Sequence, residues 1–183
     1  MEYAATAPRA LAGLVLGSPL ISTRTWLADA VALRKQLPED VQESLSRCDP
    51  PAVFGHECEI AIRSFYSSFT QRTPNSNAMQ RYNAQAKPND RLYYAMWGSS
   101  EFMSTGTLRN YNGEPLLSDL DGARTLFMIG QYDEVRLTTA AAFAARVRGS
   151  DLCVIPGSAH LFLMDRPAEA VGLLRPWLRR QDG

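Results

Sequence analysis

The sequence has no long apolar run, no surplus of either charge, and little histidine or cysteine. Each shortage excludes something. No stretch approaches the roughly 18 apolar residues that a membrane span needs, so no membrane partner is expected. Lys and Arg total 19 and Asp and Glu total 19, a formal charge of zero. Nucleic-acid binding normally needs a basic surplus, so no nucleic-acid partner is expected either. The one local cluster, Arg175, Arg179 and Arg180, falls at the end of a C-terminal helix, where cations complement the helix dipole. The three cysteines, Cys48, Cys58 and Cys153, are odd in number and form no C-x-x-C pair. Buried reduced thiols are expected, with neither a disulfide framework nor a zinc site. The N-terminal MEYAATAPRA has no basic stretch leading into an apolar one, unlike a signal peptide. Together these features predict a cytoplasmic protein.

What remains is ordinary globular composition. Of the 183 residues 45% are hydrophobic and 21% charged, enough for one domain with a real core and too apolar for a disordered chain. Met1 to Ala7 reads as the tail of a helix stopped by Pro8. Gly13 to Pro19 (GLVLGSP) is a short apolar run between breakers, the signature of a parallel strand buried on both faces. From Thr25 to about Asn89 the period becomes helical. Trp26, Ala30, Leu33 and Leu37 mark one helix, and Pro38 opens another carrying Val41 and Leu45. A third runs through Cys58, Ala61, Ile62, Phe65, Tyr66 and Phe69. Pro50-Pro51 and the segment 73–77 interrupt them. Strand–helix–strand–helix texture then returns. Ala123 to Ile129 and Asp151 to Ile155 are strands, Thr138 to Val147 is a helix closed at Gly149, and Pro167 opens the last helix.

Chemistry concentrates at the two strand ends. Gly130-Gln131-Tyr132-Asp133-Glu134-Val135 places an acid pair after the first strand. Pro156-Gly157-Ser158-Ala159-His160-Leu161 places one of only two histidines after the next. Sites in open α/β sheets form at the carboxyl ends of strands. An Asp after a strand is often a turn residue and a loop His often a surface one. Here, however, acid and histidine stand on successive loops in the order of the last two members of a Ser–Asp–His triad. The other histidine, His56, begins the aromatic helix, and a surface or capping role is expected for it. Its H-E-x-E context is not the H-E-x-x-H zinc pattern, and no other metal-ligand cluster is present, so no metal site is expected.

At these residues the chain resembles the C-terminal part of prolyl iminopeptidase-type serine aminopeptidases of the α/β-hydrolase superfamily. The matching segments are Leu14 to Pro19, Met96-Trp97-Gly98-Ser99-Ser100-Glu101-Phe102, Thr105 to Leu108, the Asp133 loop and the His160 loop. The resemblance implies an α/β fold, the C-terminal part of a hydrolase parallel sheet with an inserted all-helical cap. Residues 1–24 would begin the core, 25–108 form the cap, and 109–183 complete the core with the acid and histidine loops. Asp133 would be the triad acid and His160 the general base. Glu101 and Glu134 would hold the free α-amino group of a short peptide or amino-acid amide substrate. The cap would restrict the site to small N-termini, and no cofactor is implied. A carboxylate pair at the cap–core boundary suits an ammonium, since it neutralises the charge at one fixed distance from the scissile bond.

The sequence departs from the family in one essential. No G-x-S-x-G nucleophile elbow occurs. Ser18 precedes Pro19 on the wrong strand, and Ser99, Ser100 and Ser158 lack the flanking glycines. The expectation is a chain that begins inside the helix after the elbow, with roughly 100 residues of the usual domain absent. Its partner would be a missing N-terminal half or another copy of itself. Alone it would be inactive, and the open edge of the strand at 14–16 would leave it poorly stable. The competing readings are another α/β-hydrolase acting on esters, amides or lactones, and a non-catalytic chain.

Overall fold

The computed structural model describes residues 1–48, 55–87, 89–98, 102 and 104–181. Three parallel strands, β1 (Leu14–Gly17), β2 (Thr125–Gly130) and β3 (Asp151–Ile155), form one sheet in the order β1-β2-β3. Leu14 pairs with Thr125 and Gly17 with Met128, while Leu126 pairs with Asp151 and Gly130 with Ile155. All six residues of β2 are buried, as befits the central strand of a parallel sheet covered on both faces.

Strand alternation divides the core. Phe127 points with Leu16 toward one layer, where α1 (Glu2–Ala5) supplies Ala4. Leu126, Met128 and Ile155 point toward the other. Between β1 and β2 the described residues form the α-helices α2 (Thr23–Arg34), α3 (Glu39–Arg47), α4 (His56–Phe69), α5 (Asn77–Gln85) and α6 (Asp90–Met96), followed by short 3-10 turns. After β2 come α7 (Leu137–Arg146), then β3, the single turn α8 (Phe162–Asp165) and α9 (Pro167–Gln181). Phe143 of α7 packs in the first layer; Phe162, Ala170 and Trp177 of α8 and α9 pack in the second.

The helical segment has its own core. Leu33, Leu37, Leu45, Ala61, Phe65 and Phe69 lie together, with Phe102 edge-on to Phe65 at 4.7 Å. This is the aromatic stripe read from the sequence. The segment is tied back to the sheet layer by Asp29, buried on α2, which accepts hydrogen bonds from Arg136 N and Thr139 Oγ1 at the start of α7. Burial pushes the Asp29 carboxyl up from its ordinary value, against the opposing pull of Thr139 and Arg136. His56 is exposed at the first turn of α4 beside Glu59, in keeping with a surface role.

Two expectations fail. Cys48 and Cys58 are not reduced thiols but a disulfide, with Cα atoms 5.6 Å apart. Cys48 caps the end of α3 and Cys58 lies in the first turn of α4, and these two helices pack against each other. The helical hairpin therefore brings together two residues whose spacing in sequence suggests nothing. Only Cys153 is free, and burial pushes its thiol up. The bridge withdraws the reduced-thiol argument for a cytoplasmic setting, since disulfides are rare there. No described helix is long and apolar enough to cross a membrane.

The second failure is β1, which is not buried on both faces. Leu16 is inside, but Val15 is 37% exposed. Among the described residues β1 pairs on one side only, and its second edge carries no strand.

Chain-entropy arguments for a loop of this length assign the Cys48–Cys58 bridge about 2.5 kcal/mol. Replacing Cys58 with Ser should lower the melting temperature by roughly 5–10 °C. Thiol titration of the unreduced, denatured chain should find one reactive sulfur. Three reactive thiols and an unchanged melting temperature would remove the bridge from the account.

Candidate active site

The carboxyl ends of β2 and β3 each continue into a loop, and the two loops are zipped together. Gln131 N donates to Ile155 O (3.1 Å), Tyr132 N to Ser158 O (2.9 Å), and Gly157 N to Gln131 Oε1 (2.9 Å). So close an approach needs glycine at the end of β2. A Cβ at Gly130 would stand 2.1 Å from the carbonyl oxygen of Ala159, well inside contact distance.

This zipper brings Asp133 and His160 together. His160 Nδ1 lies 3.0 Å from Asp133 Oδ1. Asp133 is 3% exposed, and a carboxylate so deeply buried must be paired. It is. Oδ1 also accepts from Val135 N (3.1 Å), and Oδ2 accepts from Gly130 N (2.9 Å) and Ser18 Oγ (2.5 Å). An ionised acceptor at Nδ1 places the imidazole proton there, which assigns the lone pair to Nε2. The imidazole meets Trp26 of α2 edge-to-face at 5.4 Å and lines a cavity of about 670 Å³.

Glu134, the next residue, lines the same cavity. Its Oε2 lies 3.8 Å from His160 Nδ1, and its Oε1 accepts from Thr70 Oγ1. Glu134 is itself 5% exposed, so a second carboxylate is held out of bulk water against the imidazole. The rest of the wall is largely apolar: Trp26, Tyr66, Leu92, Trp97 and Leu108. The remaining residue expected at the site, Glu101, lies outside the described residues.

The helical segment closes over the histidine through main chain. His160 N donates to Phe69 O (3.0 Å) and Leu161 N to Thr70 O (2.8 Å), so the end of α4 is stitched to the His160 loop. Asp165, buried at the end of α8, accepts from Arg72 N (2.9 Å), Thr73 N (2.7 Å) and Ala159 N (2.8 Å). The Arg72 guanidinium stacks on the Tyr132 ring at 4.0 Å, adding a contact to the acid loop.

Sequence reasoning missed Ser18, Thr70, Asp165 and Trp26 as parts of this site. In the sequence Ser18 carries a signal only as a candidate nucleophile. Thr70 and Asp165 lie 64 and 6 residues from the groups they hold, with no local signal to mark them.

As a chemical arrangement the site offers a base on an ionised acid, with a second carboxylate facing the same cavity. No family model matches the chain. It is 27% identical to the proline iminopeptidase of Heyndrickxia coagulans over 177 residues, 96% of this chain and 61% of that protein. It is 23% identical to the proline iminopeptidase of Saccharolobus solfataricus, over 97% of this chain and 57% of that one. The crystal structure of proline iminopeptidase from Mycobacterium smegmatis superposes with a TM-score of 0.85 at 25% identity, covering 99% of this chain and 61% of that one. The crystal structure of VinJ gives 0.85 at 28% identity, covering 98% and 61%. The chain thus has the α/β-hydrolase fold of the C-terminal portion of these proteins, and it spans about 60% of the length of the relatives it matches.

Gly130→Ala should be far costlier than an ordinary surface Gly→Ala change, by about 1–3 kcal/mol, because the methyl meets main chain that cannot yield. Gly172→Ala is the control, since a Cβ there has nothing within 4 Å. Equal melting temperatures for the two variants would show that the loops are not packed as described.

Proposed function

We propose that this chain carries the acid, the base and part of the amine site of a serine aminopeptidase that releases an N-terminal residue, often proline, from short peptides or amino-acid amides. Asp133 holds the His160 imidazole in the Nδ1–H tautomer, and Nε2 takes the proton of an attacking serine hydroxyl. The same proton then passes to the leaving amine, and water hydrolyses the acyl-enzyme by the reverse route. Glu134, with Glu101 as its partner, holds the substrate ammonium. The segment 25–108 acts as the cap on a core formed by 1–24 and 109–183. No cofactor enters the scheme.

One observation carries this reading: Glu134 lies on the cavity wall within 4 Å of the imidazole that Asp133 orients. A carboxylate facing the cavity suits a cationic group such as a free amine, and offers nothing comparable to a neutral ester or lactone. The similarity to proline iminopeptidases in two organisms supports the same substrate class.

The 183 residues hold no G-x-S-x-G elbow, so the nucleophile and oxyanion donors of the scheme come from outside them. A separate N-terminal half is the partner that would supply them; a second copy of the chain carries the same residues and would bring no elbow.

Hydrolysis of proline and alanine chromogenic amides is the test, using this chain alone and one extended upstream to include an elbow. The extended chain should turn over, and the chain alone should not. Asp133→Ala and His160→Ala should each lower kcat by at least about a thousandfold. Glu134→Gln should raise KM for free-amine substrates by about tenfold or more. Equal hydrolysis of N-acetylated and free amides would overturn the aminopeptidase reading in favour of a general ester or amide hydrolase. Activity of the chain alone would place a nucleophile within it.

A further inference from the structure

Ser18 stands just past β1 with φ of 43°, in the left-handed region, where a non-glycine residue is strained by about 1 kcal/mol or more. Its backbone is well used, since Ser18 N donates to Met128 O at 2.8 Å. Glycine would hold that turn without strain. What glycine lacks is the hydroxyl, and the hydroxyl is fully engaged. Ser18 Oγ lies 2.5 Å from Asp133 Oδ2 and 3.0 Å from the carbonyl oxygen of His160, in a site 8% exposed. Both neighbours are acceptors, so the single proton goes to the nearer, charged one. This arrangement is the reverse of an activated nucleophile, whose proton would face an imidazole nitrogen.

We propose that Ser18 is a positioning residue for the acid–histidine pair. Its hydroxyl wedges between the Asp133 carboxylate and the main chain of the His160 loop, so that Oδ1, and not Oδ2, faces Nδ1. The carboxylate has four donors: two backbone amides, the imidazole and Ser18. Ser18 is the one that comes from β1. It therefore links the register of that strand to the orientation of a histidine 142 residues away. It also draws negative charge toward Oδ2. Without it, more of that charge is available to the imidazolium, and His160 should hold its proton to higher pH.

The inference rests on the reading of Asp133 and His160 as an acid–base pair, but its test does not require turnover. Among the described residues the imidazole meets Asp133, Glu134 at 3.8 Å and Trp26, and the Ser18 hydroxyl lies against the main-chain carbonyl of the same residue. None but Ser18 is altered in the experiment. The chain has only two histidines, and His56, with 80% of its side chain exposed beside Glu59, is an internal reference.

The experiment is a proton NMR titration of both imidazoles in the whole chain, comparing the parent with Ser18→Ala and Ser18→Gly. Both variants should raise the His160 midpoint by about half a pH unit and leave His56 in place. Ser18→Gly should also melt above Ser18→Ala, since it relieves the backbone while losing the same hydroxyl. It keeps the test open if the alanine variant does not fold. A His160 midpoint equal to the parent's in a folded variant, with only the melting temperature changed, would show Ser18 to be structural and overturn the proposal. Absence of turnover by the extended parent chain, with the titration shift intact, would instead count against the aminopeptidase reading alone.

Discussion

A charged carboxylate almost entirely removed from water sets the terms for the rest of the site. Asp133 would cost several kcal/mol to bury unpaired. Its donors come from four places: the end of β2, its own loop, the residue after β1, and the loop after β3. Each of these segments must therefore arrive in register. The parallel pairing of β1 with β2 and of β2 with β3 delivers Ser18 and His160 to the same carboxylate, and Gly130 lets the two loops close enough for contact. A slip of one residue in either pairing would turn the side chains to the opposite face and leave the charge without partners.

The helical segment depends on the same point through the main chain. The end of α4 accepts from the amides of His160 and Leu161, and Asp165 fastens the following turn to Ala159. Thr70 reaches across to Glu134. The wall that limits the cavity is thus positioned by the loop that carries the histidine, and the Cys48–Cys58 bridge holds the start of α4 to α3 at the other end. Under the proposed function this coupling fixes the distance between the amine-binding carboxylate and the scissile bond, which is what an exopeptidase has to measure.

Much of this was legible in the sequence because local chemistry marked it. Asp151 to Ile155 is a strand with the bounds read from its apolar run, and the Phe65–Phe69 stripe is the core of its helices. Asp133 and His160 stand out in the sequence because strand ends and loop order are local features. What was not legible is what the chain brings together from afar. The bridge joins ends of a helical hairpin, and its cysteines carry no diagnostic spacing. Val15 belongs to an apolar run that reads as buried, yet its exposure depends on which strands flank β1. Ser18 looked like a failed nucleophile, because its partner lies 115 residues on.

The central claim is that the cavity recognises a free amine through Glu134. Titrating the chain with prolinamide, and separately with N-acetylprolinamide, while following the His160 imidazole and the Trp26 and Trp97 indole resonances, tests it without catalysis. The account predicts saturable shifts with prolinamide, absent with the acetylated compound and lost in Glu134→Gln. Equal shifts with both compounds, or shifts that survive Glu134→Gln, would contradict it.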